Sequence, residues 1–220
     1  AVRKLGHTNY DVADQLSNLG MEAIHPKAAK TLRQAEVPLR VTNAFDPGDS
    51  GTLIDDQPAE TPDVEIVTGL KVVALEAFEQ DMVGVKGYDA AILDALKRHN
   101  VWIVSKSSNA NTITHYVQAS LKTVRRVARD LEALYPSASV SARTLSLVSP
   151  IGRSLSGLKV LSRGLQALEE AGIEVIAAHQ TPRGVDVQFV LGSADMEVAI
   201  TALHRVLIED KAVPAAKQAA

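Results

Sequence analysis

The chain has 220 residues, 46% of them hydrophobic, 22% charged and 4% aromatic, with no cysteine and a formal net charge of −3. That apolar content sustains a core and excludes wholesale disorder, while the lack of thiols excludes disulfides and thiolate metal centres and makes a cytoplasmic home the default expectation. The slight acidity argues against a nucleic acid or an anionic membrane held by bulk charge, and no apolar run approaches the roughly 18–20 residues of a membrane span.

The first segment runs to residue 57. It starts at Ala1 without an initiator Met or a signal-peptide stretch, which suggests a piece of a longer chain. Thr8 or Asn9 is placed to cap a helix over Asp11 to Leu19, ended at Gly20. Pro26 opens a second helix through Ala35. Val37–Thr42 reads as a short strand, Asn43–Ser50 as turns, and Gly51–Ile54 as a further extended run. Asp55–Asp63 holds two prolines and several acids, with Ala59 as its one apolar residue, and reads as a linker.

Beyond the linker the chain repeats. Ile66–Phe78 is a strand, Glu79–Gly87 a loop, and Tyr88–Arg98 a helix with Ile92, Leu93 and Leu96 as its stripe, closed by Asn100. A strand from Val101, a polar stretch Ser105–Asn111, a strand Thr112–Val117 and a helix Leu121–Leu134 follow. Arg143–Val148 then begins the same order again, with a loop over Ser149–Ser156 and a helix Gly157–Ala171 striped by Leu158, Leu161, Leu165 and Leu168. Strands Ile173–Ala178 and Val185–Leu191 and a helix Asp195–Ile208 complete it. Gly87 maps onto Gly157, Asn100 onto Gly172 and Ser120 onto Asp195, a period of roughly 70–75 residues. Each unit reads strand, helix, strand, strand, helix with room for a closing strand, the α+β arrangement of the ferredoxin-like class. Ser137–Val140 closes the first unit, or strands are exchanged between units.

No catalytic constellation is visible. There is no Walker-type loop, no serine in a nucleophile elbow, and no metal-ligand spacing among His7, His25, His99, His115, His179 and His204, each of which reads as a surface or hydrogen-bonded histidine. The loop-to-helix junctions are more suggestive. A helix N-terminus offers free N–H groups and partial positive charge suited to a carboxylate. Met82–Asp89, facing Ser107-Ser108-Asn109, has the composition of a pocket for a free amino acid, with Asp89 toward an ammonium group. The plainer reading takes Gly87 as a turn residue and Asp89 as a first-turn acid that complements the dipole.

Three ordered motifs carry a resemblance: Gly20-Met21-Glu22-Ala23-Ile24-His25-Pro26, then Val37-Pro38-Leu39-Arg40-Val41-Thr42-Asn43-Ala44-Phe45-Asp46-Pro47, then Gly51-Thr52-Leu53-Ile54. This trio resembles the end of an aspartate kinase catalytic domain, and the repeats resemble that family's paired ACT domains, over residues 9 to 210. The resemblance implies a division into a catalytic-domain end over 1–57, a linker 58–65, ACT domains over 66–140 and 141–210, and a flexible tail 211–220; partial disorder is expected over 1–10 and 211–220. It implies ATP and Mg²⁺ for the full-length enzyme, which phosphorylates L-aspartate. The family's Lys-Phe-Gly-Gly-Thr-Ser signature does not occur here, so the fragment is expected to be inactive, with no catalytic residue, metal or bound nucleotide of its own.

By the same resemblance the ACT domains form a homodimer and bind an amino-acid effector through Met82, Val85, Gly87, Tyr88 and Asp89, with Ser107, Ser108 and Asn109 opposite. Two departures stand out. Glu22 replaces a lysine near the family's nucleotide, and Val104 replaces an aspartate found in lysine-sensitive members. The stretch Lys106–Thr114 is similar to aspartate kinases of ectoine synthesis. A stand-alone amino-acid-sensing ACT subunit is the alternative, against which the segment 9–54 argues. A DNA-binding regulator would need a helix pair and a basic face, and neither is visible.

Overall fold

The computed structural model describes residues 4–21, 24–57 and 61–210. The chain forms two units, one from residues 71–147 and the other from the described parts of 1–70 and 148–220.

In the 71–147 unit, the second half of β4 (Asp63–Phe78) is followed by α3 (Tyr88–Arg98), β5 (Trp102–Ser108), β6 (Thr112–Gln118), α4 (Leu121–Leu134) and the first half of β7 (Ser139–Arg153). The strand order is β5-β6-β4-β7. First and third strands are therefore central neighbours and the last closes the edge, which is the ferredoxin-like order. β4 and β6 run antiparallel from Val73 opposite Val117 to Phe78 opposite Thr112. Leu75, Ala77, Ile113 and Val117 alternate onto one face and bury against Ile92, Ala95 and Leu96 of α3 and Val124, Val127 and Leu131 of α4. Each fully buried Val, Leu or Ile contributes about 1.5–3 kcal/mol. Helix α4 begins where Ser120 accepts a hydrogen bond from the Thr123 amide at 3.1 Å. Asn100, at φ 52°, ends the turn after α3 in the left-handed conformation its side chain tolerates.

The other unit carries the first segment. β1 (His7–Asn9) pairs parallel with β3 (Thr52–Asp55), which pairs antiparallel with β2 (Leu39–Val41). Helices α1 (Tyr10–Asn18) and α2 (Pro26–Gln34) pack Tyr10, Ala13 and Ala29 around Ile54. Asn9 caps α1, its Oδ1 accepting from the Val12 amide at 3.0 Å. Within the stretch 1–10, where partial disorder is expected, residues 7–9 gain backbone partners along β3. Residues 1–3, Glu22 and the tail 211–220 lie outside the described residues, as do 58–60 of the linker.

The same unit holds a second ferredoxin-like order, β4-β7-β9-β8, with β8 (Val175–Gln180), β9 (Val187–Gly192), α5 (Val160–Glu170) and α6 (Met196–His204). Its closing position is taken by residues 63–70 of β4, upstream in the chain. Strand exchange is therefore the arrangement adopted. A Cβ at Gly152 would sit 2.0 Å from the Asp63 carbonyl, so β7 needs glycine where it runs against β4. The loop expected over Ser149–Ser156 is strand as far as Arg153; Ser149 donates to the Val187 carbonyl at 3.0 Å and Ile151 is fully buried.

Helix α5 also turns differently from its leucine stripe. Val160, Gly164, Ala167 and Leu168 face inward, and Leu165 is half-exposed. The small residues let the helix approach Phe189, whose ring lies 2.4 Å from where a Gly164 Cβ would be. A buried polar cluster joins the first segment to this sheet: Arg153 pairs with Glu65 through Nε, and its Nη1 lies 3.2 Å from His7 Nδ1. His7 Nε2 lies 2.8 Å from Asp55 Oδ1 and Thr8 donates to Glu65 at 2.5 Å.

Candidate functional site

The candidate site is built where β4 gives way to α3. After Phe78 the Glu79 side chain is buried; it accepts the Asp81 amide at 3.2 Å and the Ser137 hydroxyl at 2.6 Å. The Ser137 hydrogen bond, then the Asp81 amide, hold its carboxyl below the usual range. This fixes the start of the loop through a single 3-10 turn, Gln80–Met82. Met82 is buried in the core, and Val83 and Val85 are exposed.

The loop ends at Gly87, whose φ of 104° lies in the left-handed region that glycine enters without cost. A Cβ there would meet nothing within 4 Å, so glycine is needed for its conformation, and open space lies beside it. No side chain caps α3. Its first-turn N–H groups therefore keep their capacity for an anion. The Tyr88 ring packs on Tyr135, centroids 4.5 Å apart, and anchors the helix start.

Asp89 follows in the first turn. Lys106 Nζ donates to its Oδ2 at 2.5 Å, and its Oδ1 lies 3.5 Å from His115 Nε2. His115 is completely buried on the core face of β6, between Ile113 and Val117. Neither ring nitrogen has a hydrogen-bond partner, nor does Asp89 Oδ1. Burial pushes the His115 imidazole below its ordinary value; Asp89 opposes that shift and Lys106 adds to it. His115 thus departs from the expected surface or hydrogen-bonded histidine.

Of the remaining predicted residues, Ser107 and Ser108 are exposed on β5, opposite Thr114 and Ile113. Asn109 shapes the hairpin: its Oδ1 accepts from the Asn111 and Thr112 amides at 3.1 and 2.9 Å. Val104 is buried at the register shift in β5. Asp89 is the predicted residue that gathers partners, Lys106 and His115, which sequence reasoning missed. In the second repeat α5 starts after Lys159, two residues beyond Gly157; it too begins left-handed and uncapped, but its first turn holds no acidic residue.

No family model matches the chain. It is 52% identical over 207 residues to the aspartate kinase Ask_Ect of Stutzerimonas stutzeri (strain A1501), covering 93% of this chain and 44% of that protein. The chain is similar to the C-terminal regulatory portion of the aspartate kinases. The fold agrees. The crystal structure of Clostridium acetobutylicum aspartate kinase superposes with a TM-score of 0.83 at 17% identity, over 93% of this chain and 49% of that one. The regulatory subunit of aspartate kinase from Thermus flavus gives 0.55 at 16% identity, over 66% of this chain and 98% of that one. The chain spans less than half the length of the S. stutzeri relative. Its two ferredoxin-like units are the ACT domains of that fold.

E. coli aspartokinase III, solved in complex with aspartate and ADP, superposes with a TM-score of 0.79 at 19% identity, over 94% of this chain and 47% of that one. In the first segment a cavity of about 370 Å³ is lined by Tyr10, Glu36, Val37, Pro38, Asp55, Asp56 and Gln57. Three carboxylates on its wall would repel a triphosphate, and the neighbouring Arg33 already binds Asp11 at 3.0 Å and Asp56 at 3.1 Å. These residues alone do not fit a nucleotide. The lowered carboxyl of Asp55 points the same way: burial opposes it, but the His7 and Gln57 hydrogen bonds outweigh burial and keep it charged. Among the described residues no helix is long and apolar enough to cross a membrane.

Proposed function

We propose that the chain is the regulatory end of a longer aspartate kinase, acting in the cytoplasm, that transfers the γ-phosphoryl of ATP, with Mg²⁺, to the side-chain carboxylate of L-aspartate. In this reading residues 1–57 end the catalytic domain, 58–65 link it onward, and 66–140 and 141–210 are the ACT domains. The piece by itself turns nothing over, because its first segment offers carboxylates rather than a phosphate cradle.

Met82, Val85, Gly87, Tyr88 and Asp89, with Ser107, Ser108 and Asn109 across from them, receive a free amino acid, and two copies pair through their ACT domains. The observation that carries this is the α3 junction, where a left-handed Gly87, an uncapped helix start and a first-turn carboxylate meet. An amino-acid carboxylate suits the helix end, and a carboxylate such as Asp89 suits an ammonium group. An effector that favours one arrangement of the full enzyme by differential affinity then shifts its activity.

Calorimetric titration of the chain with L-lysine, L-threonine and L-methionine tests the reading. Saturable uptake of at least one is expected; silence for all three would remove the sensing role. Sedimentation tests the pairing, a monomer at tens of micromolar being the contrary result. The alternative, a free-standing sensing subunit, is favoured by the likeness to the T. flavus regulatory subunit. It leaves the ordered first segment, with α1, α2 and β1–β3, without a purpose.

A further inference from the structure

We propose that Lys106 is a tethered occupant of the Asp89 carboxylate, standing where the side-chain ammonium of a basic amino acid would sit, so that the site admits neutral amino acids and disfavours basic ones. This rests on the loop–α3 junction being an amino-acid site.

Three observations converge on Lys106. Asp89 Oδ1 is closed off from solvent against His115, leaving Oδ2 as the oxygen that an incoming cation could reach. Lys106 Nζ holds that oxygen at 2.5 Å. The lysine arrives there by backbone register rather than by a chance surface encounter. Lys106 pairs directly with His115, and His115 with Leu75, so all three side chains lie on the face that α3 covers.

An ammonium group on a short tether competes at an effective concentration in the millimolar range or above. A free lysine must displace it while meeting its charge at close range. The pair is partly exposed, Asp89 and Lys106 each keeping nearly two-fifths of their side-chain surface, so the exchange is open to solvent and the barrier is modest. A neutral amino acid held by its carboxylate at the helix end need not displace Lys106 at all. The buried imidazole adds to the discrimination: a neutral His115 gives Asp89 no second charge, so the carboxylate has one cation to satisfy it and Lys106 supplies it.

The test is calorimetric titration of the 220-residue chain and its Lys106→Met variant with L-lysine, L-ornithine, L-threonine and L-methionine. The variant is expected to bind L-lysine and L-ornithine about fivefold or more tightly than the parent. Adding Asp89→Asn should abolish that gain, and the neutral amino acids should change less than about twofold. Equal lysine affinity in parent and variant overturns the proposal. If a neutral amino acid still binds both proteins alike, the effector site itself stands and Lys106 alone has lost its role; if nothing binds either protein, both readings fall. A second readout needs no ligand. The His115 ring resonances followed against pH should titrate higher in Lys106→Met, since the ammonium helps hold the imidazole down; an unmoved titration overturns the proposal.

Discussion

Replacing Arg153 by Met should strip the first segment from the sheet it leans on. Arg153 keeps 17% of its side-chain surface and Glu65 only 2%, so the variant would leave a buried carboxylate with the Thr8 hydroxyl donating to it and without the Arg153 cation beside it. It also removes the contact to His7 Nδ1, which orients the ring so that Nε2–H faces Asp55. Breaking one side of a buried pair costs about 3–5 kcal/mol, whereas replacing both sides by apolar groups is often near neutral. Against a domain stability of about 5–15 kcal/mol, the single variant loses a large share. The double variant Glu65→Leu/Arg153→Met should recover most of that loss. Urea unfolding followed by circular dichroism gives the energies, and limited proteolysis of the 55–63 stretch reports release of the first segment. A single-variant loss below about 1 kcal/mol, or a double variant no better than the single, would refute the reasoning.

Gly164→Ala should destabilise despite better helix propensity. The methyl gains about 1 kcal/mol as a helix former but meets the Phe189 ring at 2.4 Å, an overpacking cost of about 1–3 kcal/mol. In a Phe189→Leu background the same change should become neutral or stabilising in urea titrations. Asn9→Ala should cost about 1 kcal/mol through loss of the Val12 amide bond, read in the same way. His115 sets a pH dependence. The folded chain holds its imidazole below the ordinary 6.5, so the unfolded chain protonates first. Stability is full above pH 6.5, falls as pH drops toward the folded value, and levels off below it. His115→Leu should remove that slope between pH 7 and 5. The carboxylates held low, Glu79, Asp55 and Asp130, lose their contribution only below their ordinary 4.5 or 3.8.

Helix α4 was legible to the residue because cap, stripe and stop agree: Ser120, then Val124, Val127 and Leu131, then Tyr135-Pro136. Helix α5 was misphased because its leucines outnumber the small residues, yet Gly164 and Ala167 decide which face meets Phe189. β7 was cut short because Ser149, Pro150 and Gly152 carry turn propensity, which pairing against β4 and β9 overrides. At the site, the alternation Ile113, His115, Val117 already places the imidazole inward. Lys106 was out of reach, because its meeting with Asp89 depends on the β5–β6 register after the shift at Val104, which no local pattern records.

Backbone amide chemical-shift mapping of the chain during titration with L-threonine, L-methionine and L-lysine tests the central claim most directly. Shifts concentrated in Met82–Asp89 and Ser107–Asn109, saturating with one constant, are the predicted result. A saturable ligand whose shifts fall instead on the first segment or on the α5 junction would contradict it.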